Sequence, residues 1–338
     1  MIEATREKAH KKIYKVKRRR KAKKMPLWKK ILVGFLFIIY LGTTTGALAL
    51  YGPFENIRRT VIGMVLTSRH AWYIEPFYSK ETLDKYRPSL DNTTKGSMHV
   101  GKGYADVNDT GIEVVPIKTM KYSGSLLIVK DPKRVHVSAT KYLNDVGETV
   151  TDMIKRENAI GGINAGGFSD IGGKGTGGIP MGLTVSRGNY ISGDKNSNET
   201  IIGITKEGVL VVGKYTYNEL IQLGISDAVS FYPQLVKDGK PYLKAKDDTW
   251  GVGPRTAIGQ REDGAILLMV LSGRGNGGIG ASLMDVEKEM LSHGAYVAAN
   301  LDGGYSSEMV YNNQFLVTPS NPLGERHVAT SFVIDGVK

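Results

Sequence analysis

The chain has 338 residues, of which 41% are hydrophobic and 23% charged, enough for one large domain or two smaller ones with a buried core. It contains no cysteine, which excludes disulfides, zinc–thiolate sites, iron–sulfur clusters and a thiol nucleophile. The formal net charge of +12 lies entirely in residues 1–30, which hold 14 Lys/Arg and 2 Asp/Glu. The remainder is neutral, so a basic domain that binds nucleic acid is not expected.

Directly after this basic tail, Ile31–Tyr51 is a run of 21 residues without a charge. As a helix it would cross about 30 Å of hydrocarbon. Basic residues before such a helix favour a cytoplasmic N-terminus, so we expect a signal-anchor with the rest of the chain outside the cytoplasm. A cleaved signal peptide is the alternative, because Ala47-Leu48-Ala49 offers a small-x-small site. The long basic region and long apolar run favour an uncleaved anchor.

Residues 52–111 are interpreted as a juxtamembrane stalk or linker. Asn56–Glu75 carries apolar residues at helical spacing, and Pro76 is expected to end that helix. The polar run 91–96 is typical of a linker. The segment either forms a stalk or packs on the domain that follows.

Residues 112–338 are predicted to form the main domain. Helices are predicted at Glu148–Glu157, Tyr217–Leu223 and Ala281–His293. Short apolar or alternating runs predict more strands than helices, which indicates an α/β fold of the mixed α+β type, with a mixed β-sheet and flanking helices. The predicted strands are Ser125–Val129, Val135–Ser138, Ile160–Asn164, Gly182–Ser186, Ile201–Thr205, Val209–Val212, Ala228–Tyr232, Thr256–Gln260, Ala265–Leu271, Tyr296–Leu301 and Ser331–Ile334.

A glycine motif in this domain resembles a dinucleotide-binding fingerprint. Gly275–Gly280 fits G-x-G-x-x-G between the predicted strand Ala265–Leu271 and the helix Ala281–His293, and Asp302 ends the next strand. An oxidoreductase is therefore one alternative. Only 36 residues follow Asp302, which is too few to complete a doubly wound sheet.

Other common motifs for nucleotide or metal chemistry are absent from the sequence. Lys174 is followed by glycine, where a P-loop needs Ser or Thr, and there is no H-E-x-x-H. The six histidines are scattered without metal-ligand spacing, and no loop has EF-hand spacing. We predict no cofactor and no metal site, although scattered carboxylates would permit Ca²⁺ or Mg²⁺.

The run Asn300–Glu308 is the strongest candidate for a site. The apolar segment Ala295–Ala299 delivers Asp302 to the end of a predicted strand, and Gly303, Gly304, Ser306 and Ser307 follow. Glycines let the backbone approach a ligand closely. A carboxylate beside backbone N–H groups and hydroxyls can bind and cleave a polar or phosphorylated molecule. The structural alternative is a tight turn capped by Asp302.

A second glycine loop bears polar side chains of the same kind. Asn164, Gly166, Gly167 and Asp170 follow the predicted strand Ile160–Asn164. The two glycines would again allow close approach of the backbone to a ligand.

Three arginines stand beside glycine loops in the same part of the chain, namely Arg255, Arg274 and Arg326. Their planar guanidinium groups match phosphate or carboxylate oxygens. A single arginine of this kind is usually a surface ion pair. Three in one domain suggest an anion site, provided that the fold brings them together.

Read together, these loops resemble the phosphodiester glycosidase family over about residues 120–338. Tyr305 stands where the family usually has a third glycine, and Ala165 replaces a glycine in the first loop, which leaves the identity of the substrate open. The matching segments are Ile163–Phe168, Gly178–Gly182, Arg255–Gly259, Asp263-Gly264, Asn300–Ser307, Glu325-Arg326 and Ser331–Ile334.

The resemblance implies hydrolysis of a sugar-1-phosphodiester to a free sugar and a phosphomonoester. Asp302 is the expected catalytic carboxylate, with Asp170 and Glu308 as alternatives. Arg255 and Arg274 are expected to hold the phosphate. The remaining expected substrate-binding residues are Asn164, Gly166, Gly167, Gly303, Gly304, Ser306, Ser307 and Arg326.

The anchor and the resemblance together suggest a bacterial membrane protein whose domain faces outward. Its expected partner is a sugar-1-phosphodiester, either polymeric or lipid-linked, in exopolysaccharide or cell-envelope glycopolymer metabolism. A non-catalytic envelope protein that binds or assembles glycan phosphates is the alternative.

Overall fold

The computed structural model describes residues 25–66, 71–87, 93, 97–98, 109–169, 176–244, 250–273 and 278–337. The chain divides into two compact units, one ending at Pro53 and the other beginning at Phe54. The helices are α1 (Leu27–Tyr51), α2 (Glu55–Leu66), α3 (Lys80–Tyr86), α4 (Val150–Arg156), α5 (Tyr217–Gln222) and α6 (Leu283–Ser292). The strands are β1 (Ser97–Met98), β2 (Ile112–Lys118), β3 (Ser123–Val129), β4 (Val135–Ala139), β5 (Ala159–Asn164), β6 (Phe168–Ser169), β7 (Ile179–Pro180), β8 (Thr184–Ser186), β9 (Asn189–Ser192), β10 (Glu199–Thr205), β11 (Leu210–Tyr215), β12 (Ile225–Ser230), β13 (Gln234–Lys237), β14 (Lys240–Pro241), β15 (Arg255–Arg261), β16 (Ile266–Ser272), β17 (Ala295–Asn300), β18 (Met309–Tyr311), β19 (Gln314–Val317) and β20 (Thr330–Asp335).

The first unit contains α1, a helix of 25 residues with no buried residue. At 1.5 Å per residue it is about 37 Å long. It is long and apolar enough to cross a membrane, a property that a signal sequence near the N-terminus shares. The helix includes the whole predicted apolar run and begins four residues before it, at Leu27.

Antiparallel sheets form most of the second unit, which confirms the mixed α+β fold. A seven-stranded sheet has the order β14-β13-β17-β15-β16-β3-β2, and a five-stranded sheet has the order β19-β18-β5-β20-β4. A six-stranded sheet has the order β1-β11-β10-β12-β8-β9, and β6 pairs with β7 alone. The strands within these sheets pair antiparallel, where the sequence analysis expected a mixed sheet.

Strand β16 shows how the core is divided. Leu268 and Val270 face a core shared with strands of the other sheets, whereas Leu267 and Met269 face α6. Successive side chains on a strand point to opposite faces, so a strand covered on both faces is apolar throughout. This explains the unbroken hydrophobic run that identified β16 in the sequence.

Side-chain caps mark where helices α4 and α6 begin. The hydroxyl of Ser282 accepts a hydrogen bond from the backbone N–H of Asp285, and the Asp285 carboxylate accepts from the backbone N–H of Ser282. This capping box starts α6 two residues later than predicted. Thr149 caps α4 in the same position, through the N–H of Asp152.

The dinucleotide-binding layout predicted as an alternative is wrong. A strand, a helix and a strand do follow one another as β16, α6 and β17, but β15 lies between the two strands and pairs antiparallel with both. A dinucleotide-binding fold needs adjacent parallel strands at this point. Residues 274–277 of the glycine motif lie outside the described residues.

The juxtamembrane residues from Phe54 onward belong to the second unit. Helix α2 ends at Leu66, and Pro76 lies in the first turn of a separate 3₁₀ turn, where proline is tolerated. Met64 of α2 lies against Gly251, since a Cβ at Gly251 would be 2.8 Å from the Cβ of Met64. Helix α2 therefore packs on the loop that precedes β15.

Candidate active site

The loops that follow β17 and β5 meet at one edge of the domain. Asn164 Nδ2 donates to the carbonyl oxygen of Asp302 at 2.6 Å, and the backbone N–H of Asp302 donates to Ala165 O at 3.0 Å. The seven-stranded and five-stranded sheets each contribute one of these loops. The structure thus brings together the two glycine loops that the sequence singled out.

Asn164 is a buried cross-brace beneath these loops, with 1% of its surface exposed. Its Oδ1 accepts from Thr256 Oγ1 at 2.8 Å and from the backbone N–H of Glu308 at 3.3 Å. The Thr256 hydroxyl lies 3.1 Å from Ser307 Oγ, which is also buried. The described hydrogen bonds of Asn164 and Ser307 therefore run to protein groups, and these two residues set the shape of the site.

The carboxylate of Asp302 is half-buried and close to polar groups. Burial raises the pKa of this carboxyl, and the Ser306 hydroxyl, the Arg326 charge and the backbone N–H of Gly303 oppose that rise only in part. A carboxyl with a raised pKa exchanges protons closer to neutral pH, which suits a general acid or base.

Arg326 supplies the positive charge next to Asp302. Its Nη1 donates to Ser306 Oγ at 3.3 Å, and its Cζ lies 4.5 Å from the centroid of the Phe168 ring. Ser306 therefore contacts both the cation and the carboxylate. The three side chains form a short polar chain, which we call the Arg326–Ser306–Asp302 chain.

The glycines allow the loops to approach their neighbours. A Cβ at Gly166 would lie 3.1 Å from Val229 Cβ, and one at Gly167 would lie 3.1 Å from Phe231 Cε2. Gly304 has a φ of +66°, a conformation that other residues rarely adopt. At Gly303, a Cβ would lie 3.0 Å from the carbonyl oxygen of Pro254.

The guanidinium of Arg255 contacts nearby backbone. Its Nε donates to Ala281 O at 3.1 Å, and its Nη2 donates to Trp250 O at 3.0 Å and Gly251 O at 2.7 Å. Only 8% of the residue is exposed. These bonds join the loop before β15 to the start of α6, and the predicted role in phosphate binding stays a prediction.

Glu308 is fully buried below the Asp302 loop. Burial and the nearby Glu325 carboxylate raise its pKa to about 9, against a partial stabilisation of the charged form by the backbone of Val150. Neither carboxyl oxygen has a hydrogen bond of good geometry within the described residues. Glu308 thus lies inside the core, whereas Asp302 is partly exposed.

Two other predicted site residues, Asp170 and Arg274, lie outside the described residues. Among the residues that are described, no three His, Asp or Glu side chains are grouped so as to hold a metal ion.

Sequence reasoning assigned no role to Phe168, Thr256 or Thr330. Thr330 Oγ1 accepts from the backbone N–H of Gly166 at 3.0 Å, and it therefore fixes the first glycine loop. Phe168 shares the segment Ile163–Phe168 with Asn164, and Thr256 directly follows Arg255. Their membership of segments that carry the family resemblance was the signal that could have marked them as site residues.

A comparison with protein families matches the phosphodiester glycosidase model to residues 157–335, which is more than half of the chain. The chain belongs to the phosphodiester glycosidase family. The matched region begins before β5 and ends with β20, so it includes Asn164, Arg255, Asp302 and Arg326.

Two proteins similar to this chain are informative. The SPbeta prophage-derived uncharacterized protein YomE of Bacillus subtilis strain 168 is 30% identical over 197 residues, which cover 55% of this chain and 29% of YomE. The chain thus spans less than a third of that relative. One similar solved structure is that of the zebrafish N-acetylglucosamine-1-phosphodiester alpha-N-acetylglucosaminidase catalytic domain, auto-inhibited by its pro-peptide. It matches with a TM-score of 0.61 and 21% identity, over 72% of this chain and 89% of that one, and so shares the fold.

Proposed function

We propose that this protein is an extracytoplasmic hydrolase that cleaves the glycosidic bond of sugar-1-phosphodiesters. The observation that carries the proposal is the Arg326–Ser306–Asp302 chain. In it, the Arg326 guanidinium and the Asp302 carboxylate both contact the Ser306 hydroxyl, at the point where two glycine loops meet. Membership of the phosphodiester glycosidase family supports glycosidase chemistry at this place.

The chemistry of the bond explains why these groups suffice. A phosphate monoester leaves far more readily than a sugar alkoxide, so strong protonation of the leaving oxygen is not required. Arg326 would bind the phosphate and stabilise the negative charge that develops on it. The bond between the anomeric carbon and the phosphate oxygen breaks, and the oxygen of water ends on the anomeric carbon.

Asp302 would act at the anomeric carbon. Its carboxylate can stabilise the oxocarbenium-like centre and either activate water or attack the carbon as a nucleophile. Arg255 and Arg274 are proposed to assist with phosphate, and Asp170 and Glu308 stay alternative carboxylates. The loops bearing Gly166, Gly167, Gly303 and Gly304 would approach the substrate through their backbone.

The setting is also part of the proposal. We place residues 1–30 in the cytoplasm as a basic tail, 31–51 across the membrane, 52–111 as a juxtamembrane segment and 112–338 outside as the glycosidase domain. The apolar helix α1 and the basic residues before it support this orientation. A polymeric or lipid-linked sugar phosphate of the exopolysaccharide or envelope would then be the substrate.

The test uses the full chain in detergent micelles with an α-linked sugar-1-phosphate diester, and measures the release of reducing sugar. Asp302→Asn should lower turnover about a thousandfold, with the midpoint of thermal unfolding within a few degrees of wild type. Glu262→Gln is the matched control, because Glu262 is exposed in the turn after β15. Turnover equal to that of wild type in Asp302→Asn would refute the assignment of Asp302 as the catalytic carboxylate. Binding of the diester without turnover in wild type would favour the non-catalytic glycan-phosphate protein.

A further inference from the structure

Three aromatic rings lie together beside the Asp302 loop. The ring centroids of Phe231, Tyr232 and Trp250 are 5.6 Å apart for Phe231–Tyr232, 6.3 Å for Phe231–Trp250 and 5.5 Å for Tyr232–Trp250. All three residues are half-buried rather than enclosed in the core. We call this group the aromatic cluster.

The strand order explains why the cluster lies at the site. Strand β17, which leads to Asp302, pairs with β13 on one side and β15 on the other. Phe231 and Tyr232 precede β13, and Trp250 precedes β15. Because both neighbours run antiparallel to β17, their starts lie at the end of β17, at the edge where Asp302 emerges.

Direct contacts hold these three residues at the edge of the sheet where Asp302 emerges. Asn300 Nδ2 donates to Tyr232 O at 3.0 Å, and Asn300 lies two residues before Asp302. The Phe231 ring covers Gly167, with Cε2 3.1 Å from the position of a Cβ there. Arg255 holds the backbone of Trp250 through its Nη2. The Phe231 ring and the backbone of Tyr232 and Trp250 are therefore each in contact with residues of the candidate site.

The substrate has two chemically different ends, and the site has two different sides. Arg326 precedes β20 of the five-stranded sheet, whereas the aromatic residues lead into strands of the seven-stranded sheet. The C–H faces of a pyranose ring are apolar and pack well on aromatic faces, while a phosphate gains nothing from an uncharged ring. Asp302 lies where the loops of the two sheets join.

We propose that the aromatic cluster is the sugar subsite, on which the pyranose ring stacks while Arg326 takes the phosphate. This inference rests on the proposed function, because it assigns the two ends of that substrate. The arrangement places the glycosidic bond at the Asp302 carboxylate. It also makes Trp250 and Phe231 determinants of which sugar is accepted.

The test compares kinetics and inhibition in the full-length protein. Trp250→Ala should raise KM for the α-linked diester about tenfold and weaken inhibition by the free sugar to the same degree. Inhibition by inorganic phosphate should not change, and Trp250→Phe should restore most of the affinity. The matched control is Phe315→Ala, which removes an exposed ring on β19. Equal weakening of sugar and phosphate inhibition would show that Trp250 only supports the loop, and would overturn the subsite.

Tryptophan fluorescence separates this inference from the proposed function. The chain has three tryptophans, and Trp250→Phe removes the one in the cluster. Titration with the free sugar should change the emission of wild type and leave that of Trp250→Phe unchanged. Such a change in a protein that releases no sugar would refute the hydrolase and keep the subsite. Turnover with wild-type KM in Trp250→Ala would keep the hydrolase and refute the subsite.

Discussion

The guanidinium of Arg326 lies over the ring of Phe168, with its Cζ 4.5 Å from the ring centroid. A ring attracts a cation through its negative face without neutralising it, as a carboxylate would. The contact therefore helps to hold the guanidinium of Arg326 in place. Arg326 also contacts Ser306, whose hydroxyl contacts the Asp302 carboxylate.

Removal of the Phe168 ring should weaken phosphate binding. A cation–π contact is worth about 0.5–2 kcal/mol, so Phe168→Leu should raise KM for the diester by about 2- to 30-fold. Arg326→Gln should have a larger effect, because it removes the charge itself. Steady-state kinetics measure both, with Phe315→Ala as the control for loss of an aromatic ring. A Phe168→Leu enzyme with wild-type KM would contradict a positioning role.

The activity should have an acid limb set by Asp302. Burial raises the pKa of this carboxyl, while the Arg326 charge favours its ionised form. If the ionised form is the active one, kcat rises with pH and becomes constant once Asp302 is deprotonated. Arg326→Gln removes a stabilising charge, so its acid limb should move to higher pH. A limb at the same pH in both enzymes would exclude Asp302 as the titrating group.

Glu308 should make the folded state less stable as the pH rises. Its pKa is about 9 in the folded protein, against 4.5 for the ordinary group, so between these pH values the folded chain binds more protons than the unfolded chain. The free energy of unfolding then falls with increasing pH in that interval. Glu308→Gln copies the neutral acid and should flatten this dependence, with a higher melting temperature than wild type at pH 9. Equal slopes in thermal melts at pH 5, 7 and 9 would argue against a protonated Glu308.

Loss of the Asn164 brace should cost stability and activity together. Asn164→Ala leaves the Asp302 carbonyl, the Thr256 hydroxyl and the Glu308 N–H without their buried partner. One buried unsatisfied group costs about 1–3 kcal/mol, so we expect a loss of at least about 2 kcal/mol in urea unfolding. Asn164→Asp removes the donor to Asp302 O and places a carboxyl group in a buried site, so both kcat and stability should fall. Wild-type kcat in Asn164→Asp would refute the idea that this bond sets the Asp302 loop.

Local patterns predicted the individual parts better than their assembly. The apolar run of β16 and the glycine loops around Asn164 and Asp302 follow from residue type alone. Strand β2 was not predicted, because it contains Pro116, and a proline argues against a strand assignment. Proline is nevertheless compatible with an edge strand, and β2 lies at the edge of its sheet.

The convergence of the site could not be predicted, because it depends on strand order. The sequence pattern predicts Phe231 and Tyr232 as the end of a strand, whereas β12 stops at Ser230 and the chain then crosses into another sheet. Trp250 does not lie in a run of alternating or helically spaced apolar residues, so no sequence pattern identified it as part of the site. Arg326 is 24 residues from Asp302 in the sequence. The antiparallel pairing of β20 with β5 returns the chain to the loop after β5, and so brings Arg326 close to Asp302.

The contact between Met64 and Gly251 determines where a truncated version of this protein can begin. Gly251 is adjacent to Trp250, and Arg255 binds the carbonyl oxygens of both. A soluble version that starts in the linker after α3 would lose helix α2 and uncover the back of this loop. A version that starts at Phe54 keeps that support. The segment that contains α2 is thus a structural element of the second unit, and removing it would disturb the loop that carries Trp250.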